Sequence, residues 1–304
     1  GGSGFSSGIN KKEVAIKRKL RMVPGNKKTE ELYAEAYETF KAKINKSRFA
    51  GVVFDYDGTL VDARKKNDPP TQNIVDKINN LLQNGILVAF ATGRGKSIRE
   101  ALTKKYVINK KYWDDVLVGY YNGSEIARLS DEKAPSIKHD EDSKLYCLYN
   151  AVKNNEVLKQ LKLNYTLRGK QLTIEPLEST PETFLYDLLS NIVSTGFYEG
   201  LKVVRSSHSV DVISSETSKL SVVKEIKKQL KDGSKILTVG DRGRWPGNDY
   251  ALLSTDCSLS VDEVSEKIDS CWNLCPAGVK GVQGVAYLLG KMKCENGLIS
   301  FKSL

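Results

Sequence analysis

A pair of aspartates is the feature of this 304-residue sequence most able to carry chemistry. Asp55 and Asp57 flank Tyr56 and are followed by Gly58 and Thr59, directly after the apolar run FAGVVF. Carboxylates placed in this way can bind a hard cation through their oxygens. One of them can attack phosphorus and form an acyl phosphate, while the other protonates the leaving oxygen and later takes a proton from water. The alternative is a turn with two solvated acids, so the pair predicts a catalytic site only if suitable partners follow downstream.

Two later positions could hold the phosphoryl group that such an aspartate would attack. Thr92, followed by Gly93 and Arg94, ends a second apolar run, ILVAFA, and its hydroxyl can donate to a phosphoryl oxygen. Lys219 lies at the start of the predicted helix SKLSVVKEIKKQLKDG, and its ammonium could neutralise the nucleophile and the transferring group. Alone, each is an ordinary strand-end hydroxyl or surface lysine, so the prediction depends on their combination with the aspartates.

Oxygen ligands that could complete a cation shell follow a further apolar run. Asp241 ends the run KILTVG, and Asn248 and Asp249 open the segment after it. Oxygen ligands at strand ends suit Mg²⁺, which prefers compact oxygen coordination. The sequence therefore predicts a magnesium site beside the aspartate pair.

The elements that must position these residues alternate between strand and helix. FAGVVFD, ILVAFAT and DVLVGYYNG have the continuous apolar character of strands buried on both faces. Between the first two, Ile74, Ile78 and Leu81 recur on one face of a predicted helix. This rhythm predicts right-handed crossovers and a parallel sheet. Because sites in open α/β sheets lie at the carboxyl ends of the strands, the polar residues that end these strands, Asn122 among them, should share one edge.

The regular alternation is lost in the middle of the chain. QLTIEP and LKVVRSS resemble strands and TPETFLYDLLSNIV resembles a helix, which predicts an α+β cap inserted into the sheet domain. Before the first strand, helical periodicity with Leu32, Ala36 and Phe40 on one face predicts a helical extension. The predicted division is a linker or appended segment at 1–10, the extension at 11–48, the core at 49–124 and 206–304, and the cap at 125–205.

Composition narrows the class of protein. The net charge of +10 leaves nucleic-acid binding open, but the lysines are scattered in runs typical of solvated helix faces. Five cysteines at irregular spacings favour a reducing cytoplasm over a disulfide framework, and Cys271 and Cys275 lack nearby ligands for zinc. No run of apolar residues is long enough for a membrane span. His139 and His208 match no motif and are expected to be surface or structural residues.

The polar segments together resemble a known superfamily. FDYDGTL, FATGR, SKLSVVKEI and VGDRGRWPGND are similar, in order, to the four motifs of the haloacid dehalogenase superfamily, over roughly residues 50–292. The form with two aspartates is that of its phosphatases and phosphomutases. YYNGSEI, at 120–126, is similar to the Asn-Gly entry into the cap of Cof-type and sucrose-phosphatase-like members, class IIB, many of which act on sugar phosphates.

The resemblance implies a Rossmann-like three-layer α/β core with an α+β cap, one Mg²⁺ ion and aspartyl-phosphate chemistry. By motif, it makes Asp55 the nucleophile and a metal ligand. It makes Asp57 the general acid and base, with its backbone carbonyl on the metal. Thr92 and Lys219 would hold the phosphoryl group, and Asp241 would bind the metal. The remaining candidates are support of the metal by Asn248 or Asp249, and substrate binding by Gly58, Thr59, Gly93, Arg94 and Asn122.

One departure from the family pattern adds candidates. The fourth motif is commonly GDxxND, whereas here the longer segment RGRWPGN separates Asp241 from Asp249. Arg242, Arg244 and Trp245 of this segment could grip an anionic or ring-bearing substrate, or the arginines could pair with neighbouring acids while the indole packs on the cap.

The predicted function is Mg²⁺-dependent hydrolysis of a small phosphate monoester, such as a sugar phosphate. A phosphomutase or phosphotransferase with the same intermediate, and a polynucleotide end-processing phosphatase, are the alternatives. The sequence leaves the oligomeric state open.

Overall fold

The computed structural model describes residues 3–23, 25–65 and 67–304. Its helices are α1 (Ser3–Leu20), α2 (Lys27–Lys46), α3 (Gln72–Gln83), α4 (Lys96–Thr103), α5 (Lys144–Lys153), α6 (Glu182–Val193), α7 (Leu220–Lys228) and α8 (Val282–Lys291). Its strands are β1 (Phe49–Asp55), β2 (Leu87–Ala91), β3 (Leu117–Tyr120), β4 (Glu125–Arg128), β5 (Leu163–Arg168), β6 (Gln171–Pro176), β7 (Leu201–Arg205), β8 (Val210–Ser214), β9 (Lys235–Arg242), β10 (Ser258–Glu263), β11 (Met292–Glu295) and β12 (Leu298–Phe301). None of the described helices is both long and apolar enough to cross a membrane.

The larger sheet runs in the order β10-β9-β1-β2-β3-β4, and its first five strands are parallel. β4 pairs antiparallel with β3, and β12 pairs antiparallel with β1 at a single register position. Successive residues of β1 enter different cores: Val52 and Phe54 join one apolar cluster, whereas Val53 joins another together with Val222 and Ile226 of α7. The larger sheet is thus apolar on both faces and forms the middle layer of a three-layer α/β core, as the sequence predicts.

The smaller sheet is antiparallel, in the order β5-β6-β8-β7. Leu172 and Ile174 of β6 pack with Leu185 and Leu189 of α6 in a separate apolar cluster. The alternate residues of β6 are polar and lie on the opposite face of the sheet, because side chains of a strand alternate. This sheet therefore has one apolar face under its helices and one polar face.

The sheet boundaries differ from the predicted cap at 125–205. β4 belongs to the larger sheet, since its residues pair with β3, while β8 lies inside the smaller sheet between β6 and β7. In β8, Val210 and Val212 alternate with Asp211, the pattern of a sheet with one apolar and one polar face. We propose that the cap extends over residues 129–214.

The N-terminal segment differs from its prediction in two ways. α1 begins at Ser3, so most of the stretch 1–10 that composition assigned to a linker is helical backbone. On α2 the buried stripe consists of Tyr33, Tyr37, Phe40 and Ile44, whereas Leu32 is 49% exposed. The stripe is rotated from the predicted one because the two tyrosines and the phenylalanine pack around the ring of buried Trp272.

Two basic side chains of α1 bind the loop that contains Trp272. Lys19 is fully buried, and its Nζ donates to the carbonyl oxygens of Ser265, Lys267 and Ser270 at 2.9, 2.6 and 2.8 Å. Burial lowers the pKa of Lys19 to about 8. The neighbouring Arg18 donates to the carbonyls of residues 273, 275 and 276. The N-terminal helices are thus bonded into the core rather than appended to it.

Candidate active site

The candidate nucleophile lies at the carboxyl end of the central strand. Asp55 ends β1, and only 3% of the residue is exposed. Its Oδ1 lies 2.5 Å from Nζ of Lys219, at the start of α7, and its Oδ2 accepts a hydrogen bond from Thr59 Oγ1 at 2.9 Å. An ammonium and a hydroxyl therefore hold this carboxylate in one orientation, as a nucleophile requires.

Two further carboxylates complete the cluster. One carboxylate oxygen each of Asp55, Asp241 and Asp249 lies within 4.8 Å of the others, and all three residues are buried. Gly58 is needed for this approach: its φ is +80°, and a Cβ there would lie 2.1 Å from Asp241 Oδ2. The long segment between Asp241 and Asp249 does not prevent contact, because Asp249 Oδ2 accepts from the backbone amides of Asp241 and Arg242 at 3.1 and 3.0 Å.

The ionisable groups of this cluster differ in how the site shifts their pKa values. Burial raises the pKa of Asp55 to about 6, and the nearby Asp249 adds to the shift against the opposing Lys219. Burial, together with Asp55, raises the pKa of Asp241 well above its usual range. Burial alone would have the same effect on Asp249, but Lys219, whose Nζ lies 2.8 Å away, lowers the pKa of that carboxyl. Burial alone would lower the pKa of Lys219, but Asp249 and Asp55 raise it.

The residues present fit a divalent cation. Three carboxylates surround the Lys219 ammonium, and the Arg242 guanidinium, which lies 3.8 Å from Asp241, is shared with Glu263, so full ionisation of the cluster leaves excess negative charge in a buried site. A hard dication with oxygen ligands would neutralise this excess. Asp55, Asp241 and Asp249 are therefore the candidate ligands. Asn248 Nδ2 donates to Asn122 Oδ1 at 3.1 Å, and support of the metal by Asn248 stays a prediction.

Asp57 faces a different partner from Asp55. Its Oδ2 accepts a hydrogen bond from Nε of Arg94 at 2.9 Å, and the guanidinium lies over the ring of Tyr56 at 5.4 Å. Asp57 Oδ1 is buried and accepts no hydrogen bond from the described residues. Asp57 and Asp55 both line one cleft of about 540 Å³. The two aspartates thus reach the same space with separate partners, which suits two separate chemical roles.

The loops after β2 and β3 meet beside this cleft. Thr92 is fully buried, and its Oγ1 accepts from the backbone amide of Arg94 at 3.0 Å. Asn122 has a left-handed φ of 58°, and its backbone amide donates to the carbonyl of Thr92 at 2.7 Å. The predicted convergence of polar residues at the carboxyl edge therefore includes both loops.

The polar face of the cap sheet forms the opposite wall of the cleft. Sequence analysis missed these residues, since the cap shows no recognisable motif. His208, expected to be a surface or structural residue, also lines the cleft. The lining residues of the cap sheet and of the turn between β7 and β8 are Thr166, Arg168, Thr173, Glu175, Ser206, Ser207, Ser209 and Asp211. The one sequence signal that could have found these cap residues is the alternation of polar and apolar side chains along β5 and β6.

The inserted segment lies to the side of this cleft. Nη1 of Arg242 lies 3.1 Å from a carboxylate oxygen of Glu263, and Arg244 is exposed. Trp245 is 51% exposed and packs edge to face on Tyr250. None of the three is among the described residues that line the cleft. Arg242 therefore pairs with a neighbouring acid, which is one of the two arrangements that the sequence allows. Contact of these three residues with the substrate stays a prediction.

Comparison with known proteins finds a match to one family over part of the chain and a similar fold in solved structures. The sequence model of the haloacid dehalogenase-like hydrolases matches residues 52–166. A search of curated proteins found no match. The fold is similar to a HAD/COF-like hydrolase from Plasmodium vivax, with a TM-score of 0.60 and 18% identity over 83% of this chain and 98% of that one.

Two other solved structures share the fold. The C-terminal domain of C. albicans trehalose-6-phosphate phosphatase matches with a TM-score of 0.54 and 16% identity, over 83% of this chain and 94% of that one. An IMP-bound, N-terminally truncated IMP-nucleotidase from Plasmodium falciparum matches with a TM-score of 0.56 and 13% identity, over 93% of this chain and 78% of that one.

The family match covers residues 52–166, a span that includes Asp55, Asp57 and Thr92. The parallel core sheet and the smaller antiparallel sheet together give the fold that these solved structures share.

Proposed function

We propose that the protein is a Mg²⁺-dependent phosphate monoester hydrolase that forms a covalent aspartyl phosphate on Asp55. The observation that carries the proposal is the placement of Asp55 between Lys219 and Thr59, with Asp57 on the same cleft. A carboxylate with one fixed orientation is a competent nucleophile, and a second acid beside the cleft can serve the leaving group.

In the first step, a carboxylate oxygen of Asp55 bonds to phosphorus while the bond from phosphorus to the ester oxygen breaks. Asp57 gives its proton to that departing oxygen, so the alcohol leaves neutral. In the second step, water attacks phosphorus and loses a proton to Asp57, and phosphate departs from Asp55. Lys219 stays beside Asp55, where its ammonium counters first the carboxylate and then the phosphoryl group bonded to it.

Asp55, Asp241 and Asp249 would hold the magnesium ion. When bound, Mg²⁺ supplies Lewis-acid stabilisation of the negative phosphoryl oxygens. The buried carboxylates support this assignment because their negative charge exceeds what Lys219, and Arg242 shared with Glu263, can neutralise.

We propose a small polyhydroxylated phosphate ester, such as a sugar phosphate, as the substrate. The cap wall of the cleft is rich in hydroxyls, with Thr166, Thr173, Ser206 and Ser209 beside charged groups. Such groups can exchange hydrogen bonds with the hydroxyls of a leaving group. The five free cysteines support a reducing compartment, and we propose the cytoplasm.

Release of phosphate in isotopically labelled water tests the reaction. The panel should include sugar phosphates, nucleoside monophosphates and a 5′-phosphorylated oligonucleotide, each with Mg²⁺. A hydrolase incorporates one labelled oxygen into each phosphate released, whereas a mutase rearranges its substrate without releasing phosphate. Preference for the oligonucleotide would favour the end-processing alternative. No release from any ester by the folded protein would contradict the proposal.

A further inference from the structure

Gln171, the first residue of β6, joins the cap to two loops of the core. The residue is 1% exposed. Its Nε2 donates to the carbonyl oxygen of Gly93 at 2.7 Å and to Thr173 Oγ1 at 2.8 Å, and its Oε1 accepts from Asn122 Nδ2 at 2.8 Å. One cap side chain thus binds the loops that follow β2 and β3, and its amide hydrogens both have partners.

Asn122 extends this contact across the junction. Its Nδ2 also donates to Asp211 Oδ2 of the cap at 3.0 Å, and its Oδ1 accepts from Asn248. The amide of Asn122 is therefore shared between two cap residues and the segment that leads to Asp249. Because an unpaired buried amide costs about 1–3 kcal/mol, this network favours one docked position of the cap.

The loop that Gln171 holds also carries the partner of Asp57. Gly93 directly precedes Arg94, whose Nε donates to Asp57. On the other side, a Cβ at Gly93 would lie 3.1 Å from Asp211 Oδ2, so the loop has little room to move toward the cap. Fixing the carbonyl of Gly93 fixes the peptide plane from which Arg94 departs.

We propose that Gln171 is a positioning residue for the acid/base step: through Gly93 and Arg94 it holds Asp57 in place when the cap is docked. This inference rests on the proposed function, in which Asp57 protonates the leaving oxygen. Gln171 is buried and is not among the described lining residues of the cleft, so it acts through other residues rather than on the substrate.

The test compares two kinds of substrate in Gln171→Met. Methionine has nearly the same length and cannot make the hydrogen bonds. The kcat/KM is measured for an alkyl phosphate, which needs its leaving oxygen protonated, and for an aryl phosphate with a strongly electron-withdrawing ring, which needs this less. Complete loss of acid/base help costs ~10²–10⁴-fold, so its misplacement should cost the alkyl ester about 10-fold and the aryl ester less than about 2-fold.

The control is Ile174→Val, on the same strand but facing the apolar cluster of the cap. It should lower the Tm without changing the ratio of the two kcat/KM values. If Gln171→Met does not fold, Gln171→Glu takes its place, since glutamate still accepts from Asn122 but cannot donate to Gly93 when ionised. Equal losses on the two esters, or an unchanged kcat/KM, in whichever variant folds would overturn the inference.

Asp57→Asn separates this inference from the proposed function. If Asp57→Asn selectively slows the alkyl ester and the Gln171 variant does not, only the positioning role fails. If Asp57→Asn slows both esters equally, the acid role of Asp57 is wrong, and the positioning role falls with it.

Discussion

Asp211 provides a pH-dependent test of the buried junction between cap and core. Its carboxylate accepts hydrogen bonds from Asn122 Nδ2 at 3.0 Å and Ser209 Oγ at 3.3 Å, and the residue is 1% exposed. Burial raises the pKa of Asp211 to about 6, against the opposing hydrogen bonds. Asp211→Asn removes the titration and keeps the size of the side chain.

The sign of the effect follows from linkage between proton binding and folding. Because the folded pKa of Asp211 is about 6 and its ordinary value is 3.8, the folded protein holds this proton where the unfolded chain has lost it. The free energy of unfolding therefore falls as pH rises from about 4 to 6. A pKa difference of roughly two units corresponds to a loss of about 3 kcal/mol in the free energy of unfolding. This loss is complete at pH 7.

Urea unfolding of both proteins from pH 4 to 7.5, without divalent cations, measures this effect. Wild type should lose up to about 3 kcal/mol relative to Asp211→Asn over the window. The amide also loses a hydrogen-bond acceptor, but that cost of ~1 kcal/mol does not depend on pH. Asp187→Asn, at an exposed position of α6, controls for the removal of a charge. Parallel curves for wild type and Asp211→Asn would refute the reasoning.

Asp55→Asn should abolish phosphate release while the protein still folds, because an amide is a poor nucleophile; near wild-type turnover by this variant would contradict the mechanism. Activity should require Mg²⁺ and be suppressed by Ca²⁺, which takes more ligands at longer distances; assays with a chelator and with each cation alone measure this, and full activity with Ca²⁺ alone would exclude the proposed site. Lys19→Met should lower the free energy of unfolding by about 1–3 kcal/mol, because three carbonyls, two of them buried, lose their shared donor. Denaturant unfolding measures this last loss, with the exposed Lys17→Met of the same helix as its control; equal stability of the two variants would show that the contacts of Lys19 contribute nothing.

The parallel strands of the core and the position of its acids could be predicted from local pattern. A strand buried on both faces has a continuous apolar run, and the polar residues that end such strands must meet at one edge of a parallel sheet. Asp55, Asp57 and Asp241 follow from this rule. The contact between Asp249 and Lys219 follows less directly, because the intervening segment is long.

The cap residues and the buried lysine could not be predicted in this way. Gln171 and Asp211 accept hydrogen bonds from Asn122, which is 49 and 89 residues away in sequence, and no local period encodes such a contact. Lys19 lies in the basic run KRKLR, which resembles a solvated helix face. Its burial depends on carbonyls that a distant loop turns toward it, and a sequence pattern does not show the direction of a carbonyl.

The bond between Lys19 and its distant loop has a consequence for synthesis of the chain. Lys19 and Ser265 are 246 residues apart in sequence. At ~5–20 residues per second, α1 and α2 leave the ribosome about 12–50 s before the loop that covers them. Through that interval the rings of Tyr33, Tyr37 and Phe40 have no Trp272 to pack against. The helices α1 and α2 are therefore made well before the loop that holds them and reach their final place only after it, and in that time their aromatic face is a surface that chaperones can bind.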